Sequence, residues 1–232
     1  MISDIHANHA ALKAVLVDAE GLNCTSFICL GDVAGYHSEI NECIDLLKSL
    51  PSLVFIKGNH DQYLIDNTGC PRSKHVTSTL SYQHSVITNE NIEWLSTGLD
   101  EYSFGGNYFT HGGPQDKLEQ YIYRVSEDTI PNDFSQLFVG HTHVQALLHV
   151  GNKIFCNPGS VGQPRDGDPR AAYAILNDKG KITLRRVPYN IFQTQQEMMA
   201  AGFAEYSCDN LSVGAQVGGR IDSIKLHGQD YV

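Results

Sequence analysis

Five short blocks rich in metal-binding side chains punctuate this chain, each at the end of a short apolar run. The blocks are Ser3-Asp4-Ile5-His6, Gly31-Asp32, Gly58-Asn59-His60-Asp61, His111-Gly112-Gly113 and Gly140-His141-Thr142-His143. Apolar runs of this length predict buried β-strands. Polar side chains at strand ends meet along one rim of a sheet, where open α/β folds bind their ligands. The pattern therefore predicts an α/β fold with one site built from all five blocks.

Helical and extended patterns alternate along the first half of the chain. Apolar residues at helical spacing predict helices over residues 8–20, 39–50, 76–88 and 91–96, with Asn8 as the first N-cap. Strands are predicted at 27–30, 53–56, 101–104, 107–110 and 137–139, followed by mostly β structure from 146 to 187 and a helix over 189–201. We predict a single domain over residues 1–201 and a C-terminal tail over 202–232. The tail is weakly patterned, which leaves open whether it covers the site, mediates dimerisation or is partly disordered.

Size and charge limit the classes of function. The chain has 232 residues, enough for one substantial core, and no apolar stretch approaches the roughly 18 residues that cross a bilayer. The N-terminus lacks a secretory pattern and the six cysteines contain no C-x-x-C pair, so a cytoplasmic protein with reduced thiols is expected. The net charge of -10 argues against an extended duplex-binding face. An anionic substrate would need metal ions to supply positive charge.

Seven side chains of the blocks form a candidate ligand set: Asp4, His6, Asp32, Asn59, His111, His141 and His143. Carboxylate, amide and imidazole ligands suit manganese, iron or zinc better than the all-oxygen cages of calcium. Seven ligands exceed one four-coordinate ion and suit two if one carboxylate bridges; Asp32, alone on its loop, is the expected bridge. In Asp4-x-His6 and His141-x-His143 the partners are two apart, which in an extended segment places both on one face. A lone Asp or His at a strand end is more often a cap or a surface residue, but the joint pattern favours a dinuclear site.

In this order and spacing, the five blocks resemble the calcineurin-like metallophosphoesterase superfamily. Gly31-Asp32-Val33-Ala34-Gly35-Tyr36 and the segment over 157–170 are similar to its small bacterial and archaeal phosphodiesterase branch, which includes YfcE-like and diadenosine polyphosphate hydrolase-like proteins. The likeness covers residues 2–190. It implies a four-layer α-β-β-α sandwich of two mixed sheets, with helices outside.

The resemblance also implies a dinuclear hydrolase. One ion would be held by Asp4, His6, Asp32 and His143, and the second by Asp32, Asn59, His111 and His141. Manganese is the leading metal, with iron, zinc, nickel and cobalt as alternatives. In such enzymes the two ions share a hydroxide that attacks phosphorus in line. His60 is the predicted catalytic residue, because it follows Asn59 directly and as an imidazolium would protonate the leaving oxygen; the alternative is a histidine satisfied at a helix start. Asp61 is expected to favour the first helical turn rather than to orient His60.

Three residues are candidates for binding substrate. Arg165 and Arg170 flank a glycine- and proline-rich loop, and guanidinium groups match phosphate oxygens; solvated loop charge is the alternative. Tyr36 would stack or hydrogen-bond near the second block. The remaining histidines are expected at the surface: His9, His37, His75, His84, His149 and His227.

The expected function is hydrolysis of a phosphodiester or phosphoanhydride of a small nucleotide, with a dinucleoside polyphosphate as the leading substrate. Two alternatives are a non-catalytic metal- or nucleotide-binding regulator on the same fold and a phosphoprotein phosphatase. The expected partner is a small phosphorylated molecule, not a membrane or a nucleic-acid duplex, and homo-oligomer formation is left open. Two departures from the family pattern stand out. Only Met1 and Ile2 precede Ser3, so the first strand is expected to be short. Adding a few apolar residues upstream is expected to raise the melting temperature. His37 stands where relatives carry glycine.

Overall fold

The first half of the chain alternates helices and short strands, in the computed structural model, which describes residues 1–228. The elements are α1 (His9–Gly21), β1 (Phe27–Cys29), α2 (Ile40–Lys48), β2 (Leu53–Phe55), α3 (Asn59–Ile65), α4 (Lys74–Val86) and α5 (Asn89–Ser96). The predicted cap is confirmed, because the Asn8 side-chain oxygen accepts a hydrogen bond from the Ala11 N–H. Helix α3 was predicted only at its first turn, because its start coincides with the third ligand block.

Strands dominate the second half. They are β3 (Glu101–Phe104), β4 (Asn107–Thr110), β5 (Arg124–Val125), β6 (Gln136–Phe138), β7 (Ala146–Val150), β8 (Lys153–Asn157), β9 (Ala171–Leu176) and β10 (Ile182–Val187). Helix α6 (Ile191–Ala200) and strand β11 (Lys225–Leu226) follow, and single 3-10 turns lie at Glu127–Thr129, Glu205–Ser207 and Asp209–Val213. The short strands β5 and β11 were not predicted, since two residues are too few to show a periodic pattern.

All strands except the separate pair β5-β11 form two mixed sheets. The larger has the order β3-β4-β6-β8-β7, in which β4, β6 and β8 run parallel and the two edge strands run antiparallel. The smaller contains the parallel pair β1-β2 and the antiparallel pair β9-β10. Residues 1 and 2 join these pairs, because Ile2 forms a bridge with Cys29 and Met1 exchanges backbone hydrogen bonds with Ala174.

Each face of the sheets is covered by an apolar layer. The inner faces meet through a cluster that includes Leu30, Ile56, Phe109 and Phe138. Helices α1 to α5 supply most of the cluster on the outer face of the smaller sheet. On the outer face of the larger sheet, the covering layer comes from the 122–130 segment and Ile224 rather than from an α-helix of residues 1–228. The four-layer fold is confirmed, with a fourth layer built mainly from irregular chain.

The segment after α6 packs onto the domain. Cys208 and Leu211 join a cluster with Met198, and β11 pairs in parallel with β5. The Asp222 N–H donates a hydrogen bond of 2.7 Å to the Arg165 carbonyl oxygen. The last part of the predicted tail, residues 229–232, lies outside the described residues. Within residues 1–228, no helix is both long and apolar enough to cross a membrane.

Candidate metal centre

The seven predicted ligands meet at one rim of the two sheets. Asp32 follows β1, Asn59 begins α3 just after β2, His111 follows β4, and His141 and His143 follow β6. Because β1 is parallel to β2 and β4 is parallel to β6, their carboxyl ends lie at the same edge. The structure thus brings together all seven side chains, which are at most 2 % exposed: Asp4, His6, Asp32, Asn59, His111, His141 and His143.

The ligand atoms fall into two clusters that share one carboxylate. Asp4, His6, Asp32 and His143 form one cluster, and Asp32, His111 and His141 form the other, with the atoms of each within 4.8 Å of one another. Asn59 joins the second cluster, since its side-chain oxygen lies 3.2 Å from His111 Nε2. The grouping matches the one that the family resemblance implies. Asp32 occupies the position of a bridge.

The imidazoles of the first cluster point lone pairs at each other. His6 Nδ1 lies 2.6 Å from the Ala34 carbonyl oxygen, and His143 Nδ1 lies 2.7 Å from that of Gln163. A carbonyl only accepts, so each Nδ1 carries the hydrogen, and burial holds the pKa of His6 and of His143 well below the usual range. Both Nε2 atoms therefore present lone pairs, yet they are 3.0 Å apart. A cation coordinated by both would relieve this repulsion.

The second cluster also brings its ligand atoms close together. His111 Nδ1 lies 2.8 Å from the Leu30 carbonyl oxygen, which leaves Nε2 directed at His141 Nδ1, 3.1 Å away, and at Asn59. Within the described part of the chain, the Asp32 Oδ2 atom has no hydrogen-bond partner; it lies 3.5 Å from His111 Nε2 and 3.7 Å from His6 Nε2. An unpartnered buried carboxylate oxygen is costly unless a cation binds it. The donor set of oxygen and imidazole nitrogen suits divalent transition metals.

The field at this rim favours positive charge. Burial, opposed by His111, raises the pKa of Asp4 to about 7, and the negative charge of Asp32 adds to the rise. Burial alone would lower the pKa of His111, but the Asp32 carboxylate raises it to about 9. The neighbouring carboxyl groups of Asp4 and Asp32 thus favour a proton on His111. A divalent ion would relieve the same repulsion.

Most of the ligands have left-handed backbone conformations. The φ angles are 53° at Asp4, 52° at His6, 55° at Asp32, 64° at His141 and 59° at His143. The prediction that the Asp4-x-His6 pair and the His141-x-His143 pair lie on extended segments is therefore wrong. Within the second pair, moreover, His141 and His143 turn to different clusters. Non-glycine residues are uncommon in this region, although Asp and His tolerate it better than most.

Asp61 ties two ligand loops together. Its Oδ2 accepts hydrogen bonds from the Asp32 N–H (2.8 Å) and the Gly58 N–H (3.0 Å), and its Oδ1 accepts one from the Ala34 N–H (2.9 Å). The bond to Gly58 is the helix-capping contact that was expected. The other two bonds were not predicted. They fix the loop after β1 to the start of α3, and so fix Asp32 relative to Asn59.

His60 lies against the first cluster without being part of it. Its ring contacts those of His6 and Tyr36, with centroids 4.9 Å and 5.2 Å away, and its Nε2 is 4.0 Å from Asp32 Oδ2. Among residues 1–228 its Nδ1 has no hydrogen-bond partner, and burial lowers the pKa of His60 to about 4 despite the Asp32 charge. Gly35 makes room for the ring, because a Cβ there would lie 2.2 Å from His60 Nδ1. The Nδ1 atom is therefore packed against Gly35, and Nε2 is the ring nitrogen that faces Asp32 and the clusters.

Of the two loop arginines, the structure places only Arg165 at the centre. Arg165 is 6 % exposed; its Nη2 donates to the Tyr36 hydroxyl at 2.8 Å, and its Nε has no partner among residues 1–228. No carboxylate of the described chain forms an ion pair with it. Arg170 is instead exposed and makes a two-pronged ion pair with Asp168. Arg170 therefore does not join the site, because its local carboxylate satisfies its guanidinium on the surface.

Two further placements differ from expectation or were missed. His37 is 1 % exposed, so its predicted surface position is wrong; its Nδ1 donates to the His6 carbonyl oxygen at 2.6 Å. Tyr121 lies against the second cluster, with its ring centroid 3.9 Å from that of His141. The Tyr-x-Tyr spacing of Tyr121 and Tyr123, ten residues after His111, was the signal that could have indicated an aromatic wall here.

Comparisons with known proteins point in one direction. A family model described as the calcineurin-like phosphoesterase superfamily domain matches residues 1–181. The uncharacterised protein MJ0912 of Methanocaldococcus jannaschii is 33 % identical over 92 % of this chain and 97 % of its own. A metallophosphoesterase structure from Sphaerobacter thermophilus is 32 % identical, with a TM-score of 0.79 over 92 % of this chain and 98 % of that one. The hypothetical protein PH1004 of Pyrococcus horikoshii shares the fold at 19 % identity, with a TM-score of 0.82 over 93 % and 97 %.

Proposed function

The chain belongs to the calcineurin-like phosphoesterase superfamily, as its motifs indicated, and from this membership we propose that it is a dinuclear metal-dependent hydrolase of phosphodiesters or phosphoanhydrides. The single observation that supports two ions is the pair of buried ligand clusters meeting at Asp32. We propose manganese as the leading metal. When bound, divalent ions of this kind neutralise phosphoryl oxygens and lower the pKa of bound water.

His60 supports the catalytic part of the proposal. Its ring is positioned by His6 and Tyr36, and its Nε2 lies on the side of the clusters, 4.0 Å from Asp32 Oδ2. A substrate bound at the rim would bring its leaving oxygen near this ring. We propose that His60 delivers the proton to that oxygen, since a negative phosphate nearby would raise the imidazole pKa from its depressed value.

Arg165 and Tyr36 support recognition of the phosphate. A buried guanidinium without a carboxylate partner is costly, and an anion is its natural complement. Its Nη2 is fixed by Tyr36 and its Nε is left over. We propose that the Nε donates to a non-bridging phosphate oxygen and that Tyr36 orients the guanidinium. A small nucleotide, with a dinucleoside polyphosphate as the leading case, suits this arrangement.

The experiment that tests this proposal is a metal-restoration assay. Protein stripped of metal and re-supplied with Mn²⁺ is assayed on bis-p-nitrophenyl phosphate and on diadenosine tetraphosphate, beside Asp32→Asn and the surface control Asp168→Asn. We expect hydrolysis that returns with metal, is lost in Asp32→Asn and persists in the control. Metal binding without turnover of either compound would refute hydrolysis and favour a regulator on the same fold.

A further inference from the structure

Two tyrosines form an aromatic surface beside the second ligand cluster. Tyr121 and Tyr123 are two residues apart on the segment leading into β5, with ring planes 4° from parallel and centroids 5.8 Å apart. Tyr121 remains 40 % exposed even though its ring contacts that of His141. An open cavity of about 540 Å³ adjoins this segment. Parallel rings in an accessible position next to a reactive centre suit a flat ligand.

A cation completes this surface. Arg72 lies over the Tyr121 ring, with Cζ 5.5 Å from the centroid, and forms an ion pair with Glu119. Glu119 also accepts a hydrogen bond from the Tyr63 hydroxyl. Aromatic rings and guanidinium planes are the groups on which unpaired bases stack. A base between ring and guanidinium needs about 3.5 Å on each side, so we expect Arg72, which is 46 % exposed, to shift outward on binding.

The position of the rings relative to Arg165 indicates that the ligand carries a phosphate as well as a planar ring. Residues 222–225 connect Arg165 to the tyrosine segment through the backbone. The Asp222 N–H donates to the Arg165 carbonyl oxygen at 2.7 Å, and the Lys225 N–H donates to the Tyr123 carbonyl oxygen at 3.0 Å. One short stretch of chain thus holds Arg165 beside the segment that carries the two rings. A molecule that spans both features has a phosphate at one end and a planar ring at the other.

We propose that Tyr121, Tyr123 and Arg72 form the subsite for the nucleobase of the substrate. The phosphate would lie at Arg165 and the ligand clusters, and the base would stack on the tyrosines. This inference rests on the proposed phosphoesterase function, in which Arg165 binds the phosphate. It adds to the proposed nucleotide substrate the residues that would bind its base, and it makes Tyr121 and Tyr123 determinants of specificity.

A tryptophan placed in the subsite tests the proposal without relying on turnover. Adenine stacking quenches indole fluorescence, so Zn²⁺-loaded Tyr121→Trp is titrated with AMP, ribose 5-phosphate and inorganic phosphate. We expect AMP alone to quench. Phe192→Trp, at a 68 % exposed position on α6, is the matched control and should not respond. Native Trp94, which stacks on Phe55, provides the constant background.

Affinity measurements on tyrosine variants complete the test. Tyr121→Ala with Tyr123→Ala should weaken AMP binding about 10-fold or more and leave phosphate binding unchanged, whereas Tyr121→Phe should retain AMP affinity. AMP binding no tighter than that of ribose 5-phosphate, in protein that hydrolyses bis-p-nitrophenyl phosphate, would overturn the subsite and leave the phosphoesterase proposal standing. Quenching by AMP in a protein that hydrolyses no ester would overturn the phosphoesterase proposal and leave the subsite standing.

Discussion

Replacing Asp32 with asparagine should remove the stabilising effect of two metal ions at once. Among residues 1–228, Asp32 alone belongs to both ligand clusters, whereas His143 belongs only to the first and His141 only to the second. The substitution keeps the fold, because an amide oxygen can still accept the 2.9 Å hydrogen bond from the His60 N–H. What it removes is the negative charge and the unpartnered Oδ2.

The expected size follows from mass action. An ion present at 100 times its Kd stabilises the folded state by about 2.7 kcal/mol, and a chain of this length shifts by about 2–4 °C per kcal/mol. Each ion should therefore raise the melting temperature by about 5–10 °C. We expect wild-type protein to show both increments, and Asp32→Asn to show neither.

Calorimetry of metal-stripped protein, before and after addition of Mn²⁺, measures these increments. His141→Gly and His143→Gly serve as single-cluster comparisons, because glycine accepts the left-handed backbone at both positions. Each should lose about half of the wild-type shift. Asp168→Asn, outside both clusters, should keep it all. If Asp32→Asn lost no more than either glycine variant, the shared-carboxylate arrangement would be refuted.

Three other predictions concern catalysis, recognition and pH. His60→Ala should slow hydrolysis of alkyl esters about 10²–10⁴-fold but affect p-nitrophenyl esters much less, since that leaving group needs little protonation; equal losses would remove the acid role, and exposed His84→Ala is the control. Arg165→Lys should raise KM for phosphate esters about 10-fold or more with a smaller change in kcat, because the ammonium lacks the Nε donor; an unchanged KM would contradict the contact. Burial, reinforced by Glu197 and Glu42, raises the pKa of Glu39 from 4.5 to about 7. The folded state therefore binds the Glu39 proton more tightly than the unfolded state does. The stabilising effect of this proton is lost as pH rises from about 4.5 to 7. Urea unfolding should accordingly find Glu39→Gln more stable than wild type by about 1–3 kcal/mol above pH 7 and equal to it near pH 4; a constant difference would contradict this.

The convergence of the seven candidate ligands could be predicted because its signal is local. Each ligand sits directly after an apolar run, and parallel strands bring such positions to one rim without any knowledge of packing. The backbone geometry could not be predicted in the same way. The left-handed angles at His141 and His143 depend on contacts far along the chain, such as the Asp4 carboxylate that accepts from the His141 N–H.

Residues that act through tertiary contacts were harder to identify. Arg165 and Arg170 stand in the same loop, and only the fold shows that one is buried against Tyr36 while the other pairs with Asp168. Asp61 was predicted as a helix cap, but its bonds to the Asp32 and Ala34 N–H groups cross from one loop to another. Sequence spacing carries no information about such distant partners.

The left-handed backbone conformation at five ligand positions lowers the stability of the metal-free fold. Each such residue costs the fold about 1–3 kcal/mol, a cost that glycine would not incur. In metal-free medium, a screen that rewards survival of heating alone should therefore enrich glycine at Asp4, His6, Asp32, His141 and His143. The most heat-resistant descendants selected without metal would be ones that no longer bind it. Ligands retained across a lineage of such proteins would record continuing selection for activity.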